Sequence, residues 1–197
     1  MTPAESPTAR RLMRLATYVA VALACGLALV KAVAWQATGS VAVLSSLVDS
    51  LIDAAASLVN LLAVRRALEP ADADHRFGHG KAEPLAALGQ AAFVAGSGLL
   101  VVLQAAGSLL QPRPIQNATI GLVVMGVSIV ATFALVRFQV YVVRRSGSVA
   151  IRADRLHYTG DVLMNGSVIL SLALVQWADI TWIDPICGIA IAGYMLF

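Results

Sequence analysis

Two aspartates, Asp49 and Asp53, lie four residues apart inside an otherwise apolar stretch of the chain. Residues with this spacing share one face of an α-helix, so the two carboxylates are predicted one turn above each other. The surrounding stretch, 41–64, is about long enough to span a bilayer. Because each ionised side chain in hydrocarbon costs at least about 2.5 kcal/mol, the aligned pair predicts half of an intramembrane cation site. A helix-packing or pore-lining pair without an ion is the alternative.

A second pair with the same spacing, His157 and Asp161, lies in another apolar stretch. The midpoints of the two pairs are about 21 Å along the helix from Arg65 and about 16 Å from Ser148, so the pairs can meet at a similar depth. Three carboxylates and one imidazole provide four oxygen and nitrogen ligands. Such a set suits tetrahedral Zn²⁺ and the related Cd²⁺, Fe²⁺ and Co²⁺ better than Mg²⁺ or Ca²⁺.

The charge of this four-residue set suggests how transport can be driven. Three carboxylates leave a net charge of about −1 with a bound dication, whereas the empty site would carry about −3 and should take up protons. His157, Asp49 and Asp161 are the expected proton acceptors, with the imidazole the group suited to titration near neutral pH. Metal release and proton uptake then become one event, as in a metal/H⁺ antiporter.

The composition excludes a soluble globular domain. Hydrophobic residues make up 59% of the 197 positions and charged residues only 13%, against about 25% charged in soluble chains. The prediction is an all-α, polytopic membrane protein with a six-helix transmembrane bundle in a lipid bilayer. Cys25 and Cys187 both lie in apolar stretches and are expected to pack rather than to form a disulfide or a thiolate site. No dinucleotide, P-loop or nucleophile-elbow motif indicates an organic cofactor or an enzyme.

The apolar stretches divide the chain into six predicted spans. Residues 1–8 are expected to form a frayed tail, and Lys31 is expected to extend from the first span toward the membrane surface. Residues 36–40 and 146–148 are predicted turns, the latter with helix-capping serines. The last span is expected to be cut short by the end of the sequence. The predicted boundaries are 15–35, 41–64, 84–110, 120–143, 148–176 and 182–197.

The distribution of basic residues predicts the orientation. Eleven of the 14 Lys and Arg residues lie in the N-terminal segment and in the connections after the second and fourth spans. By the positive-inside rule these segments, including the N-terminus, are cytoplasmic. Basic residues clustered at span ends indicate membrane topology, and no nucleic-acid partner is expected.

Three stretches together resemble the cation diffusion facilitator family. They are SLVDSLID at 46–53, PADADHRFGHGKAE at 70–83 and RADRLHY at 152–158, and the similarity extends over nearly the whole chain. The resemblance implies a six-helix membrane domain, a homodimer, and Zn²⁺/H⁺ exchange across the bacterial inner membrane by alternating access. It also implies that Asp49, Asp53, His157 and Asp161 form the transport site. The C-terminal cytoplasmic domain typical of that family is absent from this sequence.

The connection between the second and third spans contains Asp72, His75 and His79. From the residues alone, a His-x-x-x-His pattern flanked by glycines is compatible with either a metal site or a solvated loop. The family resemblance implies a second, cytoplasmic metal site at these three residues.

Two other classes of function compete with metal transport. An intramembrane hydrolase can use two aspartates or a zinc-bound water, but four protein ligands leave no open position for water. A Gly-x-Gly-Asp signature is also missing, since Tyr158, Thr159 and Gly160 precede Asp161. A non-transporting membrane adaptor would use the polar stripe only to bind partner helices, and it predicts no metal binding. The leading prediction is proton-coupled efflux of Zn²⁺, and also of Cd²⁺ or Fe²⁺.

Overall fold

The computed structural model describes residues 6–39, 41–110, 118–178 and 183–196. Within these ranges the chain forms six α-helices and no β-strand. The predicted all-α class and the number of helices are therefore confirmed. The helices are α1 (Pro7–Thr38), α2 (Val41–Ala67), α3 (Ala82–Leu110), α4 (Ala118–Ser146), α5 (Val149–Ala178) and α6 (Ile183–Leu196).

Helix α1 begins earlier than the sequence suggested. The hydroxyl of Ser6 accepts a hydrogen bond from the backbone N–H of Ala9 at 3.1 Å, and Pro7 occupies the first turn. Serine as an N-cap followed by proline is a favoured helix start. The predicted frayed tail is thus wrong for residues 6–8, while residues 1–5 lie outside the described part of the chain.

Two glycines with positive φ end helices at tight turns. Gly39 closes α1 with φ of 61° and donates its N–H to the Trp35 carbonyl at 2.8 Å, so the predicted turn at 36–40 is shorter because α1 continues through Thr38. Gly147, with φ of 70°, follows α4. Ser148 then caps α5, its hydroxyl accepting the Ile151 N–H at 3.2 Å, which confirms the predicted serine cap.

Four helical stretches in the described residues are long and apolar enough to cross a membrane: Pro7–Ala37, Ser46–Ala67, Ala82–Gly107 and Val123–Ser146. Helix α5 has the length, with 30 residues, but ionisable side chains occupy its first turns. The 14 residues of α6 extend only about 21 Å, short of the roughly 30 Å hydrocarbon core. The chain is a multi-pass membrane protein. The predicted loop at 111–114 and the predicted start of the sixth span at 182 lie outside the described residues.

The chain divides into two compact units, with boundaries that fall within α3, α4 and α5. Unit 1 comprises Met1–Ala91 and Ala134–Arg155, and unit 2 comprises Ala92–Phe133 and Leu156–Phe197. In unit 1 the ends of four helices share an apolar core, and the Arg10 guanidinium on α1 donates to the carbonyl of Leu68 that follows α2. The buried members of this core are Met13, Ala16, Val64, Leu68, Val142, Ala150 and Ile151.

In unit 2, small residues allow α6 to pack closely on its neighbours. A side-chain carbon added at Gly160 of α5 would lie 2.5 Å from the terminal carbon of Met195 on α6. One added at Gly188 of α6 would contact Val101 and Ala105 of α3 at 3.5 and 3.7 Å. Glycine at these positions permits the close helix contacts common in membrane proteins. This packing fixes the part of α5 next to Asp161.

Candidate metal centres

Helix α2 presents the two aspartates on a polar stripe of an otherwise apolar helix. Asp49 is exposed and Asp53 is partly buried. The stripe continues toward the C-terminal end of α2 through Ser57 and Asn60, which are 1% and 3% exposed. Ser45 has the helical spacing of the same stripe, but its side chain lies outside the described part of the structure. The helical face on which the aspartates were predicted therefore carries buried polar groups along its C-terminal half.

Asn60 is a buried amide with unmet hydrogen-bonding capacity. Neither its side-chain oxygen nor its nitrogen has a hydrogen-bond partner within the described residues. It lies seven residues, or about 10 Å along the helix, beyond Asp53 on the same face. A buried amide without a partner costs about 1–3 kcal/mol. The position thus suits a hydrogen bond to a buried water.

Lys31 lies beside the aspartate pair. Its ammonium group donates to the hydroxyl of Ser50 at 2.6 Å and to the carbonyl of Ser46 at 3.2 Å, both on α2. The predicted extension of Lys31 toward the membrane surface is thus wrong, because two acceptors on the neighbouring helix hold the charge between α1 and α2. Nothing in the sequence pattern marks this contact, since it depends on how the two helices pack.

The second pair lies on α5, in unit 2. The Nε2 atom of His157 is 3.6 Å from the Oδ2 atom of Asp161, so the predicted one-turn spacing brings the two side chains together. The imidazole is 3% exposed. It packs edge-on against Phe93 of α3, with ring centroids 5.1 Å apart, and lies 5.3 Å from the Tyr158 ring. These aromatic contacts orient the imidazole, and Phe93 is a residue that sequence analysis missed.

The two pairs belong to different compact units. Asp49 and Asp53 are in unit 1, whereas His157 and Asp161 are in unit 2. His157 and Asp161 lie 3.6 Å apart, and α2 carries Asp49 and Asp53 about one helical turn apart. A single site that combines all four residues stays a prediction.

Buried polar contacts in unit 1 fix the beginning of α5. A carboxylate oxygen of Glu83, in the first turn of α3, accepts hydrogen bonds from the Ser148 hydroxyl at 2.5 Å and the Ala150 N–H at 3.4 Å. The amide of Gln139 on α4 donates to Asp154 at 2.7 Å. Asp154 is only 1% exposed. Asp154, in the charged first turns of α5, therefore faces protein rather than lipid. Sequence analysis missed both Glu83 and Gln139.

The connection between α2 and α3 brings Asp72, His75 and His79 together. One possible ligand atom from each residue lies within 4.8 Å of the others. The rings of the two histidines are 4.4 Å apart, and the His79 Nε2 atom is 3.5 Å from the Asp72 Oδ2 atom. One carboxylate and two imidazoles form a donor set suited to Zn²⁺ and similar ions.

Asp72 organises this connection. Its Oδ1 atom accepts hydrogen bonds from the backbone N–H groups of His75 and Asp74, at 2.6 and 3.1 Å. The bond from the His75 backbone holds the pKa of the Asp72 carboxyl below its usual range, and the two imidazoles contribute further. An aspartate that accepts from the following N–H groups is a common turn. The negative charge of Asp72 is thereby fixed toward the two histidines.

His79 is the buried member of the group. Its side chain is 6% exposed, whereas those of His75 and Asp72 are 52% and 48% exposed. Neither ring nitrogen of His79 has a hydrogen-bond partner within the described residues. Buried imidazole nitrogens usually have hydrogen-bond partners. A nitrogen that is available beside a carboxylate therefore favours a metal site over a solvated loop.

The chain matches the family model of the cation efflux transmembrane domain over residues 17–197. The chain belongs to this family. The predicted resemblance to the cation diffusion facilitators is therefore confirmed. Proteins named cation-efflux pump FieF are similar: that of Pectobacterium carotovorum subsp. carotovorum (strain PC1) is 49% identical over 192 residues, which is 98% of this chain and 64% of that protein. Those of Klebsiella pneumoniae subsp. pneumoniae and Escherichia fergusonii are 49% and 48% identical, each over 95% of this chain and 62% of their own length.

The chain thus spans somewhat less than two thirds of the length of these relatives. The family match includes α2 and α5, with both pairs of ionisable residues, and the connection that contains Asp72 and the two histidines.

Proposed function

We propose that the chain is the membrane domain of a proton-coupled exporter of divalent metal cations. Zn²⁺ is the main proposed substrate, and Cd²⁺ and Fe²⁺ are further ones. The observation that carries this proposal is the pair Asp49 and Asp53 within α2, a helix apolar enough to cross a membrane. Ionisable residues within a membrane helix are costly and commonly mark an ion path. The relatives named cation-efflux pumps support the same substrate class.

The proposed transport site consists of Asp49, Asp53, His157 and Asp161. His157 and Asp161 already lie 3.6 Å apart, and the buried imidazole is oriented by Phe93 and Tyr158. Three carboxylate oxygens and one imidazole nitrogen can complete a tetrahedral shell around Zn²⁺ at about 2.0–2.2 Å. A closed shell of protein ligands leaves no bound water to activate, which fits transport rather than hydrolysis.

The negative charge of this site couples the metal to protons. Release of a dication leaves three carboxylates close together in a medium of low dielectric constant, where uncompensated charge is costly. Proton uptake by His157, Asp49 and Asp161 lowers that cost. Each transported metal ion is thus exchanged for protons, as in an antiporter.

Ser57 and Asn60 continue the polar stripe from the aspartates toward the basic end of α2. Both are buried and lie on the aspartate face. Arg65 and Arg66 in the last turn mark the proposed cytoplasmic end of the helix. The amide of Asn60 has no hydrogen-bond partner within the described residues, so it is available to a water or an ion that enters between the helices at this face.

A second metal site is proposed at Asp72, His75 and His79. Their donor atoms lie within 4.8 Å of one another, and the buried His79 ring has available nitrogens within the described structure. The basic side chains in this connection support a cytoplasmic location for it under the proposed topology.

The proposed setting is the bacterial inner membrane, with the N-terminus in the cytoplasm. Eleven of the 14 basic residues in the N-terminal segment and two connections support this orientation. The family resemblance also supports a homodimer for the protein.

The test measures both binding and movement of Zn²⁺. The chain is purified in detergent for equilibrium binding and reconstituted into vesicles with an imposed pH gradient. We expect two Zn²⁺ per chain and uptake driven by the gradient. Asp53→Asn removes one carboxylate charge with little change in shape, and should abolish uptake and the binding of one ion. Glu69→Gln, in an exposed pair with Arg66, is the matched control and should leave both unchanged.

Two outcomes would overturn the proposal. Undiminished zinc binding in Asp53→Asn would remove the aspartate pair from the metal site. Binding of both ions by the unchanged chain, without gradient-driven uptake, would indicate a metal sensor or store rather than an exporter.

A further inference from the structure

Lys31 holds a positive charge well inside the membrane-spanning part of unit 1. It lies seven residues before the last residue of α1, Thr38, which is about 10 Å along the helix. Its partner Ser50 is nine residues beyond the first residue of α2, about 14 Å along that helix. Lysine side chains near a helix end usually extend to the membrane surface. Here the ammonium group instead donates to two oxygens of α2.

The acceptors place the ammonium group beside the carboxylate pair. Ser46, Ser50 and Asp53 are spaced i, i+4 and i+7, so they share one face of α2. Asp49 directly precedes Ser50, whose hydroxyl is 2.6 Å from the Lys31 nitrogen. The positive charge of Lys31 also acts electrostatically on the Asp49 carboxylate. A tethered monovalent cation therefore lies next to the proposed binding position of a divalent one.

The positive charge of Lys31 has a favourable effect on the empty site and an unfavourable effect on the metal-bound site. When the site is empty, the ammonium group offsets part of the repulsion between Asp49 and Asp53. When a dication is bound, the same ammonium group repels it across a short distance and a poorly screening medium. A transport site must bind its ion firmly enough to load it and weakly enough to release it.

We propose that Lys31 is a charge-balancing residue of the metal site, which stabilises the empty carboxylate pair and weakens the binding of the dication. This inference rests on the proposed role of Asp49 and Asp53 in metal binding. Lys31 does not contact the metal in this role and acts through its charge. The competing role is a mechanical one, in which the hydrogen bonds to Ser46 and Ser50 only hold α1 against α2.

The test removes the charge of Lys31, once with a hydrogen-bond donor kept and once without one, and compares both variants with a charged replacement. Lys31→Gln retains a donor that can reach toward α2, Lys31→Met keeps an unbranched chain of similar size, and Lys31→Arg keeps the charge. All are made in the His79→Ala background, so that zinc binding reports on the transport site alone. Arg11→Gln, an exposed position on the same helix, is the control for a general loss of positive charge.

We expect Lys31→Gln and Lys31→Met to bind Zn²⁺ about tenfold or more tightly than the parent chain. Their maximal rate of uptake into vesicles should fall, because release becomes slower, and the Zn²⁺ concentration for half-maximal uptake should also fall. Lys31→Arg and Arg11→Gln should resemble the parent. Simultaneous decreases in the half-saturating concentration and the maximal rate are not expected from a loosened pair of helices.

Unchanged or weaker binding in a folded Lys31→Gln or Lys31→Met chain overturns the proposal, and a mechanical role then accounts for Lys31. The two variants provide independent measurements should one of them fold poorly. Asp53→Asn in the same background distinguishes a failure of the proposed transport site from a failure of the proposed role of Lys31. If it binds Zn²⁺ normally, the proposed transport site fails together with the role of Lys31; if it loses binding, the Lys31 variants decide the role of that residue alone.

Discussion

Asp72 controls both the shape and the charge of the connection between α2 and α3. Its carboxylate accepts two backbone N–H groups and lies near both imidazoles. Replacement by asparagine keeps a side-chain oxygen that can accept these bonds but removes the charge that attracts a metal ion. We expect Asp72→Asn to weaken Zn²⁺ binding at this site by tenfold or more, as measured by equilibrium titration in the Asp53→Asn background.

Asp74 is the matched control for that change. It is an exposed acid in the same turn, and its side chain is not among the donor atoms of the site. Asp74→Asn should leave zinc affinity within about twofold of the parent. An equal loss in both variants would show that the connection attracts metal through its general negative charge, without a defined site.

The lowered pKa of Asp72 also sets the sign of a pH effect. A carboxyl group whose pKa is lower in the folded than in the unfolded chain stabilises the fold at any pH above its ordinary pKa. This stabilisation is lost as the pH falls through the lowered pKa of the folded chain. Between pH 8 and about 5, Asp72 therefore stays ionised. A decline in zinc binding at this site over that range would therefore not result from protonation of Asp72.

At the scale of single residues, the sequence predicted the pairs that helical spacing brings onto one face of a helix. Asp49 with Asp53, and His157 with Asp161, were visible because four residues make about one turn. The expectation for Lys31 was wrong, and the contact of Phe93 was not predicted at all. In both cases the partner lies on another helix, so the contact depends on how the helices pack. His79 was visible as a candidate, but its burial beside a carboxylate requires the folded connection.

At the scale of elements, the start of α5 is held by polar groups from two other helices. Glu83 of α3 accepts from the Ser148 hydroxyl and the Ala150 N–H, and Gln139 of α4 donates to Asp154. A carboxylate at the N-terminus of a helix satisfies free N–H groups and interacts favourably with the helix dipole. These contacts fix the beginning of the helix that carries His157 and Asp161.

We expect Glu83→Ala to destabilise the protein by about 1–3 kcal/mol, because it leaves a buried serine hydroxyl and a helix N–H without their acceptor. For a chain of this length, the change corresponds to a decrease of roughly 2–12 °C in the midpoint of thermal unfolding. The measurement is thermal unfolding of the detergent-solubilised protein, followed by circular dichroism.

Glu69→Ala provides the comparison. Glu69 pairs with Arg66 on the exposed surface, where such pairs contribute about 0–1 kcal/mol. The unfolding midpoint of Glu69→Ala should lie within about 4 °C of that of the parent. Equal shifts in the two variants would mean that the contact between Glu83 and α5 contributes no more than a surface ion pair.

The boundaries of the elements were predictable where local chemistry fixes them. The Gly147 and Ser148 turn was recognised because glycine accommodates positive φ and serine caps a helix. The start of α1 was missed because the prediction followed hydrophobicity, which begins later than the helix itself. The cap by Ser6 and the favourable position of Pro7 extend the helix into the polar segment.

For the whole molecule, composition alone determined the class. A chain with 59% hydrophobic and 13% charged residues cannot bury all its apolar surface in one small soluble core, and helices satisfy their own backbone in lipid. Composition did not predict the division into two compact units, in which α3, α4 and α5 each contribute residues to both. That division depends on side-chain packing along each helix, which the periodicity of hydrophobic residues in one sequence does not reveal.

The proposed orientation in the membrane is a property of the whole chain and follows from charge. The connection from α2 to α3 contains Arg76 and Lys81, whereas the one from α3 to α4 contains Arg113 alone. Basic segments stay in the cytoplasm because their translocation is disfavoured. We therefore expect a cysteine at position 74 and one at position 117 to be accessible from opposite sides of the membrane.

The measurement uses Asp74→Cys and Asn117→Cys in a chain without native thiols, obtained by Cys25→Ser and Cys187→Ser. A membrane-impermeant thiol reagent applied to the outer face of the inner membrane should label Asn117→Cys and leave Asp74→Cys unlabelled; in inside-out vesicles the labelling should reverse. Solubilised protein, in which both thiols should react, controls for local access. The reverse pattern would place Asp72 and the two histidines outside the cytoplasm, where that site could not sample the metal awaiting export.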